Sequence, residues 1–150
     1  GQQLVVITVA HGHAAHSAVL PHCGVGHFVF GQTWVLHLRG RYVNDLHFYS
    51  QASNSWSSLS PTGTLPTARY YHTAVWGISS SGEYGFYIFG GHDGGLLNDL
   101  HFYCQASNSW SLLSPTGTLP TARYYHTAVW GISSSGKHGF YIFGGWTGSR

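Results

Sequence analysis

The sequence predicts an all-β fold built from a repeated unit, and three observations lead to this prediction. The 150 residues include 21 glycines, 6 tryptophans, 10 tyrosines and 8 phenylalanines. Glycine weakens helices and aromatic side chains favour strands, so this composition points away from helices. With 43% hydrophobic and only 7% charged residues, the chain can bury a core. Residues 43–96 also return as 97–150, and only nine positions differ between the two copies.

The first half of each repeated unit predicts two strands, which we describe for residues 71–89. Residues 71–76 are rich in β-branched and aromatic side chains, and this strand should end at Gly77 before a serine-rich turn. Residues 86–89 form a short apolar run that Gly90 and Gly91 stop. A continuous apolar run of this length is typical of a strand that is covered on both faces.

The second half predicts two more strands separated by turn residues. The third strand covers residues 100–103 and follows Asn98 and Asp99, whose side chains favour turns because they bond to their own backbone. The fourth strand covers residues 110–113 and ends at a Ser-Pro-Thr-Gly turn. Each repeat therefore predicts one four-stranded antiparallel sheet.

Four-stranded sheets repeated at this interval favour a β-propeller, because each sheet has two apolar faces that only neighbouring sheets can cover. The apolar run ending in a double glycine at 86–91 is followed by Tyr103 and, seven positions later, Trp110. Tyr49 and Trp56 repeat this spacing, and residues 140–145 begin a further instance. This pattern resembles the kelch repeat. The resemblance implies kelch-type propeller blades that bind a partner through the loops at one end.

The repeats divide the chain into about two and a half blades. We predict an unassigned segment at 1–12, a degenerate blade at 13–62, a complete blade at 63–117 and a partial blade at 118–150. The first blade is degenerate because it has Gly31-Gln32 in place of the double glycine. A closed propeller needs about four to eight blades, so we expect an incomplete propeller. We favour a fragment of a longer protein over an assembly of copies or an unstable chain.

The double glycines predict close packing. Gly90-Gly91 and Gly144-Gly145 have no Cβ, so backbone or a large ring can approach them. We expect Tyr103 and Trp110 to supply such rings. Valine at Gly90 or Gly144 should accordingly damage folding, whereas His92→Ala should not.

The strand order places the 2–3 and 4–1 connections at one end of every blade, and loops on a rigid scaffold commonly carry binding sites. Guanidinium and ring pairs there suit carboxylate or peptide recognition, and the loop at 92–93 differs between the copies. The candidate binding residues are Arg69, Tyr70, His92, Asp93, Arg123, Tyr124 and Trp146. Two alternatives stay open. Arg69 pairs with a local aspartate such as Asp45 or Asp99 and only braces the blade, and tolerance of change explains the variable loop equally well.

The sequence favours a non-catalytic scaffold that holds a protein or peptide through these loops. A carbohydrate-binding module, or a propeller oxidase or lyase similar to galactose oxidase, is the alternative, since Tyr70, Tyr71, Tyr124 and Trp146 are candidate exposed rings. No catalytic residues are predicted, because the four acidic residues fall in turns and Cys104 aligns with Ser50.

No cofactor or metal is predicted. Residues 11–16 resemble the zinc motif of metallo-β-lactamase-type hydrolases, but Ala15 stands where that motif has aspartate. A net charge of +2 with scattered basic residues predicts neither a nucleic-acid nor a membrane partner. Self-association to complete the propeller is a further expectation. Cys23 and Cys104 leave the redox compartment open.

Overall fold

The computed structural model describes residues 42–148, which form nine β-strands. These residues fall into two compact units. One unit contains Asp45–Ser60, and the other contains Tyr42–Asn44 together with the chain from Pro61 onward. In the described part of the chain, no helix is long and apolar enough to cross a membrane.

The first unit contains a β-hairpin formed by β1 (Leu46–Ser50) and β2 (Ser55–Leu59). Tyr49 lies opposite Trp56, and their ring centroids are 5.3 Å apart. The turn contains Asn54 with a φ of +50°, and its Oδ1 accepts a 2.6 Å hydrogen bond from the Tyr49 hydroxyl. This hairpin supplies the third and fourth strands predicted for the first blade. The remaining prediction for that blade, like those for 1–12, Cys23 and the histidines at 11–16, lies outside the described residues.

The second unit contains a five-stranded sheet in the order β3-β7-β6-β5-β4. The four antiparallel strands predicted over residues 71–113 are present. The sheet consists of β3 (Thr62–Gly63), β4 (Thr73–Ile78), β5 (Tyr84–Phe89), β6 (Leu100–Cys104) and β7 (Ser109–Leu113). Strand β3 is an addition that the sequence does not predict, and it pairs in parallel with the outer strand β7.

Strand β4 begins and ends two residues later than the sequence predicts. Tyr71 has a φ of +56°, a left-handed conformation that interrupts an extended strand just before Thr73. At the other end, Gly77 lies within the strand and opposite Gly85. A Cβ at Gly77 would lie 2.6 Å from the ring of Trp130, so glycine is needed here for packing rather than for a turn.

A second hairpin, formed by β8 (Thr127–Ile132) and β9 (His138–Phe143), covers one face of this sheet. Trp130 from β8 stacks on Tyr87 with ring centroids 5.1 Å apart. Phe140 from β9 packs against the same buried cluster, which includes Phe102 and Cys104. The hydrophobic face of one repeat is therefore buried by the first two strands of the next.

Backbone atoms and the imidazole ring of His126 approach the first double glycine. Gly90 has a φ of +61°, and a Cβ there would lie 2.6 Å from the carbonyl oxygen of Arg123. The prediction that Tyr103 and Trp110 pack against these glycines is wrong. Those rings pack against Phe86 instead, at centroid distances of 4.9 and 5.0 Å, because β5, β6 and β7 place all three on one face of the sheet.

Candidate functional site

Main-chain hydrogen bonds join the two kinds of loop that carry the candidate site. The Tyr70 N–H donates to the His92 oxygen at 3.1 Å, and the His92 N–H donates back at 2.9 Å. Tyr124 and Trp146 repeat this exchange, at 3.2 and 2.8 Å. Each pair ties the end of a 4–1 connection to the start of a 2–3 loop. The strand order thus brings four of the seven candidate residues together through their backbones.

The side chains of these four residues belong to a continuous group of rings. Neighbouring ring centroids are separated by 4.0 Å for Tyr71 and Tyr125 and by up to 6.0 Å for His92 and Tyr124. We call this group the aromatic row, and its members are Tyr42, Tyr70, Tyr71, His92, Tyr124, Tyr125 and Trp146. It crosses from one repeat to the next, because Tyr71 stacks on Tyr124 at 5.6 Å.

The aromatic row presents uncharged surface to water. Trp146 is 47% exposed, and Tyr42 and Tyr125 are exposed to a similar extent. Burial, together with a hydrogen bond to Tyr42, raises the pKa of Tyr70 to about 12. Burial and a hydrogen bond with Tyr71 likewise raise the pKa of Tyr125. These phenols therefore keep their protons near neutral pH and can donate hydrogen bonds as well as apolar contact.

Two tyrosines of the row have an unusual backbone conformation. Tyr71 and Tyr125 occupy the same position in successive repeats, with φ values of +56° and +58°. Residues other than glycine rarely adopt this region. The Tyr125 N–H donates to the Tyr71 oxygen at 3.3 Å, which links the two turns. These turns direct two adjacent rings of each repeat into the row.

Arg69 is 4% exposed and makes a bidentate pair with Asp99, at 2.6 and 2.7 Å. Its guanidinium also donates to the carbonyl oxygens of Thr67 and Gly90 at 3.1 Å. Partial burial opposes ionisation of Asp99, but hydrogen bonds from His101 and Arg69 hold its pKa well below the ordinary value. Arg69 therefore pairs with Asp99 and braces the blade, as the alternative interpretation expects.

Arg123 and Asp93 each bond within their own loop and to the loop that faces it. The Arg123 Nε donates to the Thr121 oxygen, and its Nη1 donates to the Gly144 oxygen, each at 2.9 Å. Asp93 accepts a 2.9 Å hydrogen bond from the Thr67 hydroxyl and a longer one from the Gly95 N–H. These contacts hold the loops beside the aromatic row.

His126 lies beneath the row and was not predicted to belong to the site. It is almost completely buried, and its Nε2 lies 2.6 Å from the Thr73 hydroxyl. Burial, with a smaller contribution from the charge of Arg123, lowers its pKa to about 4. A neutral imidazole thus joins the first strands of two successive repeats. Within residues 42–148, no group of three His, Cys, Asp or Glu side chains is placed to hold a metal ion.

Comparison with known proteins identifies the repeat. Residues 9–150 match the family model described as the KLHDC2/KLHL20/DRC7 Kelch-repeats domain. The chain belongs to the kelch-repeat family. The kelch resemblance and the all-β fold of partial propeller blades are therefore confirmed. In this kelch unit, Tyr103 and Trp110 of the motif lie opposite each other on β6 and β7.

Several curated proteins are similar to this chain. Host cell factor 2 of Homo sapiens is 38% identical over 71% of the chain and 13% of the relative. Kelch repeat-containing protein 2 of Saccharomyces cerevisiae is 31% identical over 83% of the chain and 14% of the relative. Rab9 effector protein with kelch motifs of Mus musculus is 29% identical over 68% and 25%. The chain spans a quarter or less of the length of these relatives.

The sequence predicted some residues of the aromatic row and its surroundings but missed others. Tyr42 was missed because it lies outside the aligned repeat, and no pattern marks it. Tyr125 and His126 could have been found, since they repeat Tyr71 and His72 at the 54-residue shift. The left-handed turns that direct the tyrosines have no sequence signal, because neither contains glycine or asparagine.

Proposed function

We propose that this kelch-repeat chain is a non-catalytic scaffold that binds a protein or peptide through its 2–3 and 4–1 loops. The observation that carries the proposal is the aromatic row, which joins Tyr70, His92, Tyr124 and Trp146 with three further rings. Large rings that are held in place lose little entropy on binding, and such residues commonly dominate the affinity of protein interfaces.

In this proposal the charged candidate residues hold the loops in place, and the aromatic rings make the main contacts with the partner. Arg69 is buried against Asp99, while Arg123 and Asp93 bond to the facing loop as well as to their own. A partner that approaches the row would meet ring faces and phenolic donors first. This favours a peptide or protein segment that offers apolar side chains and main-chain carbonyl oxygens.

The names of the relatives are consistent with this class of function. One is named as an effector of Rab9, and another as host cell factor 2. By analogy we infer an interaction role for this chain as well. Self-association is proposed as a second kind of protein contact, separate from the aromatic row.

A peptide-display library tests the proposal. Peptides selected by the wild-type chain should lose at least tenfold in affinity for Trp146→Ala and for Tyr124→Ala, because each substitution removes a ring from the row. Tyr84→Ala is the matched control, since Tyr84 is an exposed tyrosine at the start of β5, at the opposite end of the sheet. Selection of no peptide, or equal losses for all three variants, would refute the proposal.

The exposed rings favour carbohydrate binding as the second candidate, because aromatic faces also stack on sugars. A glycan array separates the two functions. Glycans bound by the wild type and lost in Trp146→Ala, with no peptide selected, would establish the carbohydrate-binding alternative instead.

A further inference from the structure

Four rings of the aromatic row contact one another in a closed circuit at the junction between two repeats. From Tyr70 to Tyr71, Tyr124, His92 and back to Tyr70, successive ring centroids are 4.5, 5.6, 6.0 and 5.1 Å apart. Each of the four residues is half-buried, so part of every ring is in contact with water. All four lie within one compact unit of the chain. We call these four rings the aromatic circuit.

The aromatic circuit contains no positive charge. The Gly94 N–H donates to the Nδ1 of His92 at 3.1 Å, so this nitrogen has a free lone pair and the imidazole is neutral. Arg69, the residue before Tyr70, is neutralised by Asp99, which accepts from both of its terminal nitrogens. The ring faces are therefore not occupied by a cationic side chain of these two loops.

A carboxylate lies between the two loops that supply Tyr70 and His92. Asp93 follows His92 directly, and its Oδ2 accepts a 2.9 Å hydrogen bond from the hydroxyl of Thr67, three residues before Tyr70. Its Oδ1 accepts a longer bond from the Gly95 N–H. Both bonds hold the carboxylate in place without neutralising its charge. Within residues 42–148, no lysine or arginine forms an ion pair with Asp93.

The corresponding junction one repeat later has the same frame without this negative charge. Trp146 exchanges two main-chain hydrogen bonds with Tyr124, and their ring centroids are 5.2 Å apart. Threonine 147 stands there in place of aspartate. Arg123 also donates to the Gly144 oxygen, in the loop of that later junction. The combination of neutral rings with an uncompensated carboxylate therefore belongs to the earlier junction.

We propose that the aromatic circuit and Asp93 together bind a cationic side chain, a lysine or an arginine, of the partner segment. This inference rests on the proposed function and specifies the chemistry of the partner. The π-electrons make ring faces negative, so they attract an ammonium or guanidinium group that has left bulk water. The Asp93 carboxylate supplies the counter-charge. A basic segment is thus complementary to this junction, whereas an acidic one would meet a like charge.

NMR titration of the 150-residue chain with small probes tests the proposal. The lysine probe is n-butylammonium, the arginine probe is n-propylguanidinium, and 1-butanol is the uncharged probe of similar length. We expect the amide signals of residues 92–95 to saturate with at least one cation at a concentration about fivefold lower than with 1-butanol. Shifts that saturate no earlier with either cation than with 1-butanol, or no saturation with either cation, would overturn the proposal.

A matched pair of charge variants tests the role of the carboxylate. Asp93→Asn keeps an oxygen that can accept from the Thr67 hydroxyl, and it should weaken cation binding about threefold because the counter-charge is lost. Glu83→Gln removes the same charge from an exposed turn at the opposite end of the sheet, and it should leave the affinity unchanged. Equal effects of the two substitutions would contradict a local role of Asp93.

The role of the rings is tested at Tyr124. Phenylalanine keeps the ring face, whereas leucine removes it, so Tyr124→Leu should bind the cation about threefold more weakly than Tyr124→Phe. Circular dichroism checks that both variants keep their β-structure. If Tyr124→Phe loses as much affinity as Tyr124→Leu, the phenol oxygen rather than the ring face binds the probe, and the proposal is wrong.

Peptides selected by display separate this proposal from the scaffold role. They should be enriched in lysine or arginine, and replacing that residue with norleucine, which has no charge, should lower the affinity about tenfold. Selected peptides without lysine or arginine would overturn the cation site and leave the scaffold role intact. If no peptide is selected, the scaffold role fails, and the titration with small cations still decides whether the cation site exists.

Discussion

Two glycines in identical sequence contexts provide a direct test of how the repeats pack. Gly90 and Gly144 each end an apolar strand and precede a second glycine, with φ values of +61° and +71°. Alanine in this left-handed region costs about 1–2 kcal/mol at either position. If local conformation were the only contribution, Gly90→Ala and Gly144→Ala would reduce the free energy of unfolding equally.

Their surroundings differ. At Gly90, a Cβ would lie 2.6 Å from the Arg123 oxygen, which also accepts a 2.9 Å hydrogen bond from the Gly91 N–H. The backbone at Arg123 must shift to admit a methyl group, and such overpacking costs about 1–3 kcal/mol more. At Gly144 the space is open. We therefore expect losses of about 2–5 kcal/mol for Gly90→Ala and about 1–2 kcal/mol for Gly144→Ala.

Urea unfolding followed by tryptophan fluorescence, at one fixed protein concentration, measures both losses. His92→Ala is the control, because it removes a half-buried ring from a loop without changing a strained turn, and it should fold normally. Valine at either glycine should be more damaging than alanine. Equal losses for Gly90→Ala and Gly144→Ala would refute the packing of one repeat against the next. Losses no larger than that of His92→Ala would refute the assignment of both glycines to blade turns.

Four further predictions concern buried contacts. Asp99→Asn leaves the Arg69 guanidinium buried without its counter-charge, so we expect a loss of about 3–5 kcal/mol in urea unfolding. Since the pKa of His126 is lowered from 6.5 to about 4, the unfolded chain binds a proton first as the pH falls, and stability should decrease by about 3 kcal/mol between pH 6.5 and 4. Asp99, whose pKa is lowered, adds stability above its ordinary pKa that is lost at lower pH, so thermal melts should show a continuing decline. Gly77→Val should unfold at a lower urea concentration than the wild type, because its side chain would overlap the Trp130 ring.

The strands of the fold could be predicted because their signals are local and repeated. Apolar runs bounded by glycine, proline and asparagine occur twice with few changes, so each boundary was observed twice in the sequence. The errors arose where a backbone angle decides the boundary. The strand does not begin at Tyr71 because the φ of this residue is positive. A tyrosine in the sequence does not predict that conformation.

The sequence predicted which loops form the candidate site, but not which residues pair with each other inside it. Strand order was enough to place Tyr70 near His92 and Tyr124 near Trp146. It did not decide between Asp45 and Asp99 as the partner of Arg69, because both precede strands that differ at one position only. That choice depends on which strand lies beside β5, a contact across 30 residues of chain that no local pattern encodes.

Identical residues in the two copies show which part of the fold is local and which is shared. Phe89 is 4% exposed, and Phe143, which ends the same apolar run, is 83% exposed. Their strands form the same hairpin in the same register, so the local structure needs no neighbour. Burial does need one, because the face that contains Phe89 is covered by Trp130 and Phe140 of the following repeat. In this protein the sequence of a repeat thus determines its hairpins, whereas burial of the face that contains Phe89 depends on the next repeat, and the cost of the same substitution depends on which repeat contains it.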